Sequence, residues 1–108
     1  MNTTDEPTIH PLTTNSFDAM LGKGGTLLVD FWAPWCGPCQ QQLPILEKFA
    51  ESAPDGVTVG KVNIDEEQEL AVRFQVRSIP TLLVFRDGEE AGRHTGLAGP
   101  AQLEKLVS

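Results

Sequence analysis

The segment from Thr26 to Trp32 (Thr-Leu-Leu-Val-Asp-Phe-Trp) constrains the fold more than any other part of this chain. Its apolar residues run on without alternation, the pattern of a strand covered on both faces. Beyond the loop Pro34-Trp35-Cys36-Gly37-Pro38-Cys39, apolar residues recur at helical spacing at Leu43, Leu46, Phe49, Ala50 and Ala53. A second strand, rich in β-branched residues, is expected from Val57 to Ile64. Strand, helix and strand in that order make a crossover unit, so the two strands should be parallel with a right-handed connection.

The remaining segments extend this unit. Ile9 to Leu12 is expected to form a short strand, which Pro11 confines to a sheet edge or a strand end. Thr14 or Asn15 is the expected cap of a helix carrying Phe17, Met20 and Leu21 and closed by Gly22. Pro44 lies inside the long helix, where it removes a backbone hydrogen bond and should bend the axis. Asp65 is positioned to cap a helix with Glu66, Glu67 and Glu69 at its positive end and Leu70, Ala71 and Phe74 on its apolar face. Leu82–Arg86 and Glu90–Thr95 flank the hairpin signal Asp87-Gly88, and Pro100 opens a last helix with Leu103, Leu106 and Val107. The layout is α/β: a mixed sheet with helices on both faces. At 108 residues the chain suits one domain, expected over residues 8–108 behind a loose tail at 1–7.

Charge narrows the partners. Eight Lys and Arg against fifteen Asp and Glu leave a net −7, which disfavours nucleic acid and anionic lipid. Residues 1–20 hold no Lys or Arg and no sustained apolar run, so no export signal is expected and the cytoplasm is the expected compartment. The longest apolar stretches are far too short to span a bilayer.

The chemistry centres on Cys36 and Cys39, the only cysteines. A structural zinc site needs four ligands, and the only histidines, His10 and His94, are remote from the pair in sequence; metal would require a dimer contributing two pairs. A staple is disfavoured by magnitude, because so small a ring gives about 2 kcal/mol against about 4.7 for a loop of about 100 residues. A redox dithiol fits best. Side chains three apart on a helix lie about 5–6 Å apart at Cβ, and a disulfide needs about 3.5–4.5 Å, so a small local adjustment makes or breaks the bond. Gly37 gives backbone freedom and an open approach, and Pro38 is tolerated in the first turn. Cys36 at the helix start faces unsatisfied N–H groups that favour its thiolate, and Cys39, one turn in, should be shielded. The expectation is an exposed nucleophile and a buried resolving thiol. A cysteine-protease reading would need a histidine paired with Cys36, and no motif supports His94 in that role.

Asp30 interrupts the buried strand on the face of Leu28 and Trp32, so exposing it would drag two large apolar side chains into water. Buried and poorly paired, its pKa should rise, making it a proton acceptor near neutral pH, with a satisfied carboxylate at the strand rim as the alternative. Lys61 is expected beside it on the neighbouring strand, either as its electrostatic partner or as a snorkelling side chain. Trp32 should pack in the core, whereas Trp35, in a Pro-flanked loop, should be exposed as a contact surface.

These residues resemble the thioredoxin family. The likeness runs from Val29 through Trp35-Cys36-Gly37-Pro38-Cys39, Pro44, Val62-Asn63-Ile64-Asp65, Ile79-Pro80-Thr81-Leu82, Asp87-Gly88 and Gly96, and spans about Ile9 to Val107. The resemblance implies a five-stranded mixed sheet flanked by four helices, with Cys36 as nucleophile and Cys39 as resolving thiol of a redox disulfide. It implies Asp30 as the acid that helps deprotonate the resolving thiol, with Lys61 as its neighbour. Pro80 corresponds to the family's cis-proline, and Trp35, Gly37, Pro38, Ile79, Pro80, Gly96 and Leu97 to a groove for an extended client segment. A monomeric protein-disulfide reductase follows, with no bound cofactor, serving disulfide-containing client proteins and regenerated by a thioredoxin reductase or equivalent donor. Two other functions compete: a disulfide oxidase or isomerase, and a non-catalytic binding subunit using the groove around Trp35. The Gly-Pro between the cysteines offers no imidazole to stabilise a thiolate, which favours reduction. The chain departs from the family at Gln40, where many members carry Lys, at Phe74, where Tyr is common, and at Pro11.

Overall fold

The computed structural model describes residues 8–108. The tail expected at 1–7 lies outside the described residues. Nine elements follow in order: β1 (Ile9–Pro11), α1 (Thr14–Leu21), β2 (Thr26–Trp32), α2 (Gly37–Glu51), β3 (Val57–Asn63), α3 (Gln68–Arg73), β4 (Thr81–Arg86), β5 (Glu89–Thr95) and α4 (Pro100–Val107). The five strands form one sheet in the order β1-β3-β2-β4-β5. β3 pairs in parallel with both β1 and β2, while β4 runs antiparallel to β2 and to β5. The crossover unit is therefore present, with β2 at the centre of the sheet.

Side-chain alternation divides the core in two. Leu28, Leu82 and Val84 pack with Leu46, Leu103 and Val107 of α2 and α4. Leu27, Val29, Phe31, Leu83 and Phe85 point the other way and pack with Phe17 and Leu70 of α1 and α3. Both faces of β2 are covered, which is why its sequence carries no polar alternation. The second core is aromatic: the Phe17, Phe74 and Phe85 rings lie 5.1 to 5.6 Å apart, and Phe31 lies 6.3 Å from Phe74. Tilted and edge-on contacts of this kind add to simple area burial.

Two helix starts differ from the sequence reading. α1 is capped by Thr13, not by Thr14 or Asn15; Thr13 Oγ1 accepts from the Ser16 N–H while the Ser16 hydroxyl accepts from the Thr13 N–H. α3 begins at Gln68 with Glu67 as its cap residue, two residues later than Asp65 as cap would require. The chain first turns at Asn63, whose side-chain oxygen accepts from the Asp65 N–H and whose carbonyl accepts from Glu66 and Glu67. The Glu67 carboxylate in turn accepts from the backbone and hydroxyl of Thr14, tying this turn to α1. α2 continues through Pro44 as a single helix.

Candidate active site

The site forms where central strand β2 hands over to α2. Cys36 is the N-cap of α2, in extended conformation, and its sulfur accepts a hydrogen bond of 3.1 Å from the Cys39 N–H. A free N–H of the helix start thus faces the Cys36 sulfur, which stabilises negative charge there. Cys36 and Cys39 are joined as a disulfide with Cα atoms 5.2 Å apart. Pro38 sits in the first turn, where its missing N–H has no acceptor to leave empty.

One expectation needs correction. Cys36 is not exposed: it is 5% accessible, hardly more than Cys39 at 3%. Its sulfur lies 3.8 Å from the Ile79 carbonyl oxygen, so the segment before β4 covers it on one side. The open side is Gly37, where an added Cβ would meet no atom within 4 Å. Gly37 therefore leaves an unobstructed approach beside Cys36.

Asp30 lies within the fold at 1% accessibility, and its Oδ1 has no hydrogen-bond partner. Burial pushes its pKa up to about 7, and the weaker attraction of the Lys61 charge pulls the other way. Lys61 stands opposite Asp30 in the β2–β3 register, with its ammonium 5.5 Å from the Trp32 ring centre. No ion pair joins the two among the described residues. Asp30 shares the face of Leu28, which packs under α2, so its carboxyl is directed toward the helix carrying Cys39. The alternative of a satisfied rim carboxylate does not hold.

The remaining expected residues converge from distant segments. The Ile79–Pro80 bond is cis. The Pro80 carbonyl accepts from the Gly96 N–H at 2.8 Å, joining the turn after β5 to the start of β4. Gly96 has φ +97°, a conformation that favours glycine. Trp35 and Leu97 are 67% and 45% accessible, large apolar side chains presented to solvent on the loops before α2 and after β5. Trp35, Ile79, Pro80, Gly96 and Leu97 thus lie on three loops while Gly37 opens α2; Ile79 contacts Cys36, and Pro80 is bonded to Gly96.

Two residues have a role at the site that the sequence reading did not give them. Asp65 Oδ2 accepts from the Trp35 indole N–H at 2.9 Å, holding the exposed ring in one orientation. Gln42, fully buried on α2, bonds to the backbone of Ala98 beside Leu97. The signal for Gln42 was available: it lies three residues after Cys39 and four before Leu46, on the buried face of an amphipathic helix. Gln40 donates from Nε2 to the Pro34 carbonyl at 2.8 Å and braces the loop ahead of Cys36. Among the described residues no three His, Cys, Asp or Glu side chains are grouped as metal ligands, and no helix is long and apolar enough to cross a membrane.

Comparison with known proteins gives a consistent answer. The family model described as thioredoxin matches residues 8–108. The chain is 44% identical over 97 residues to a thioredoxin of Chlamydia pneumoniae, covering 90% of this chain and 93% of that protein. It is 43% identical over 96 residues to a thioredoxin of Bacillus subtilis (strain 168), covering 89% and 91% respectively. A mutant thioredoxin from Halobacterium salinarum NRC-1 has a similar solved structure, with a TM-score of 0.83 at 36% identity, covering 97% of this chain and 93% of that one.

Proposed function

The chain belongs to the thioredoxin family, protein-disulfide reductases working by dithiol–disulfide exchange at a pair such as Cys36–Cys39, and from that premise we propose how its residues divide the work. In the reduced protein the Cys36 thiolate attacks one sulfur of a client disulfide. A Cys36–client disulfide forms and the other client sulfur leaves as a thiolate, which takes up a proton. Cys39 then loses its proton to the Asp30 carboxylate and attacks the Cys36 sulfur. The Cys36–Cys39 bond closes and the second client thiolate departs. The client gains two electrons and two protons, and a reductase or equivalent donor returns them to the protein.

Asp30 suits the proton-accepting role because a carboxyl with a pKa of about 7 exchanges protons readily at neutral pH. Lys61 tunes that acid from the neighbouring strand. Trp35, Gly37, Pro38, Ile79, Pro80, Gly96 and Leu97 form the surface that receives an extended client segment, in which Trp35 and Leu97 supply apolar contact. We take residues 8–108 as one domain acting as a monomer in the cytoplasm, with disulfide-bonded proteins as clients and no resident cofactor.

The observation that carries this reading is the Cys36 sulfur at the N-cap of α2, with the Cys39 N–H aimed at it. The test is to trap the intermediate. Cys39→Ser should accumulate a covalent Cys36–client adduct released by dithiothreitol, and Cys36→Ser should form none. An adduct on Cys39 instead would reverse the assignment.

A further inference from the structure

The residues of α2 that are buried are Cys39, Gln42 and Leu46, a stripe in which the middle member is polar. Gln42 is 0% accessible, yet both ends of its amide are occupied. Nε2 donates to the Ala98 carbonyl at 2.9 Å, and the Ala98 N–H donates to Oε1 at 2.7 Å. Ala98, itself 1% accessible, has both its backbone groups satisfied by this one side chain. A buried amide matched in this way imitates a strand partner and fixes the backbone it faces.

Its location gives the contact a purpose. Ala98 follows Leu97 in the connection from β5 to α4, and that connection is held at three successive residues. Gly96 donates to Pro80, the Leu97 carbonyl lies 3.2 Å from His94 Nε2, and Ala98 is clamped by Gln42. Leu97 is thereby presented to solvent from a fixed backbone anchored to the helix that carries both cysteines. Substituting an apolar residue of similar size would still fill the stripe, but it would strand the buried N–H and C=O of Ala98. Such groups are costly to leave unpaired, so the loop would turn outward toward water.

We propose that Gln42 is a positioning residue for client binding, setting through Ala98 where the Leu97 wall stands relative to Cys36. The inference rests on the reading that Leu97 lines the client groove. Gln42 hydrogen-bonds to neither cysteine, so its influence should fall on recognition and spare sulfur chemistry.

The test uses the full chain with Gln42→Met. Steady-state reduction of insulin should show KM raised about five-fold, the loss of a hydrogen-bonded clamp, with kcat within about two-fold. The rate constant for a small aromatic disulfide, dithiobis(nitrobenzoate), which needs no groove, should also stay within about two-fold. An unchanged insulin KM, or a parallel loss with both substrates, would overturn the proposal. Should the variant fail to fold, amide hydrogen exchange on the unmodified protein decides: Ala98 must exchange far more slowly than Leu97, and equal rates sink the idea. Leu97→Ser separates the two readings. If it leaves the insulin KM unchanged, the groove assignment falls and this inference with it. If it raises KM while Gln42→Met does not, only the role of Gln42 is refuted.

Discussion

Asp30 couples the protonation state of the molecule to its stability. Its pKa rises from the ordinary 3.8 to about 7, so between those values the folded chain holds a proton that the unfolded chain has released. Stability therefore falls as pH rises through that window and levels off above it. Asp30→Asn cannot ionise, and it should be more stable than the parent above pH 7 by at most about 4 kcal/mol, at about 1.4 kcal/mol for each unit of raised pKa. Urea unfolding at pH 4 and pH 8 checks this, with the difference between the two proteins largely gone at pH 4. The same variant should resolve the mixed disulfide more slowly at neutral pH, seen in rapid-quench trapping of the client adduct. Asp65→Ala tests the other residue-scale contact: freeing the Trp35 indole should change its fluorescence and raise the client KM about five-fold, the scale of one ordinary hydrogen bond at about 1 kcal/mol, since this one is exposed to solvent. The cysteines and Asp30 were legible in the sequence because each breaks a local pattern. The partners of Asp65 and Gln42 were not, because they stand 30 and 56 positions away and only the folded chain brings them together, although the helical spacing of Gln42 from Cys39 and Leu46 already marked it for burial.

At the level of elements, β2 and α2 could be read directly, since a doubly covered strand and an amphipathic helix leave opposite periodicities. The start of α3 could not. Asn63 captures the Asp65, Glu66 and Glu67 amides, and this turn competes with the helix that the acidic run suggests. The cap of α1 was displaced by one residue because Thr13 has a reciprocal partner in Ser16 while Thr14 engages Glu67. Thr13→Ala should destabilise the protein by about 1 kcal/mol through loss of that cap, measured by denaturant midpoint. The turn into β2 is less forgiving. Gly25 has φ +74°, and a Cβ there would lie 2.9 Å from the Gly56 carbonyl oxygen. Gly25→Ala should therefore cost about 2 kcal/mol, combining backbone strain with a clash against main chain.

For the whole molecule, the strand–helix–strand order yielded the parallel β2–β3 pair, whereas the position of β1 beyond β3 followed from no periodicity. Net charge acts at this scale too. At −7 the surface attracts cationic clients over distances comparable with the Debye length. Association with a basic disulfide substrate should slow as salt rises from 20 to 500 mM, conditions spanning a Debye length of roughly 20 to 4 Å, while association with an acidic one should accelerate; stopped-flow fluorescence distinguishes the two. The margins of the sheet carry a last consequence. β1 is three residues long and ends in proline, and β5 presents Glu89, Glu90 and Arg93 to solvent. Short, proline-terminated or charged borders give a passing polypeptide little to zip onto. A protein that exchanges disulfides with other chains can thus part from them without its own sheet being extended by theirs.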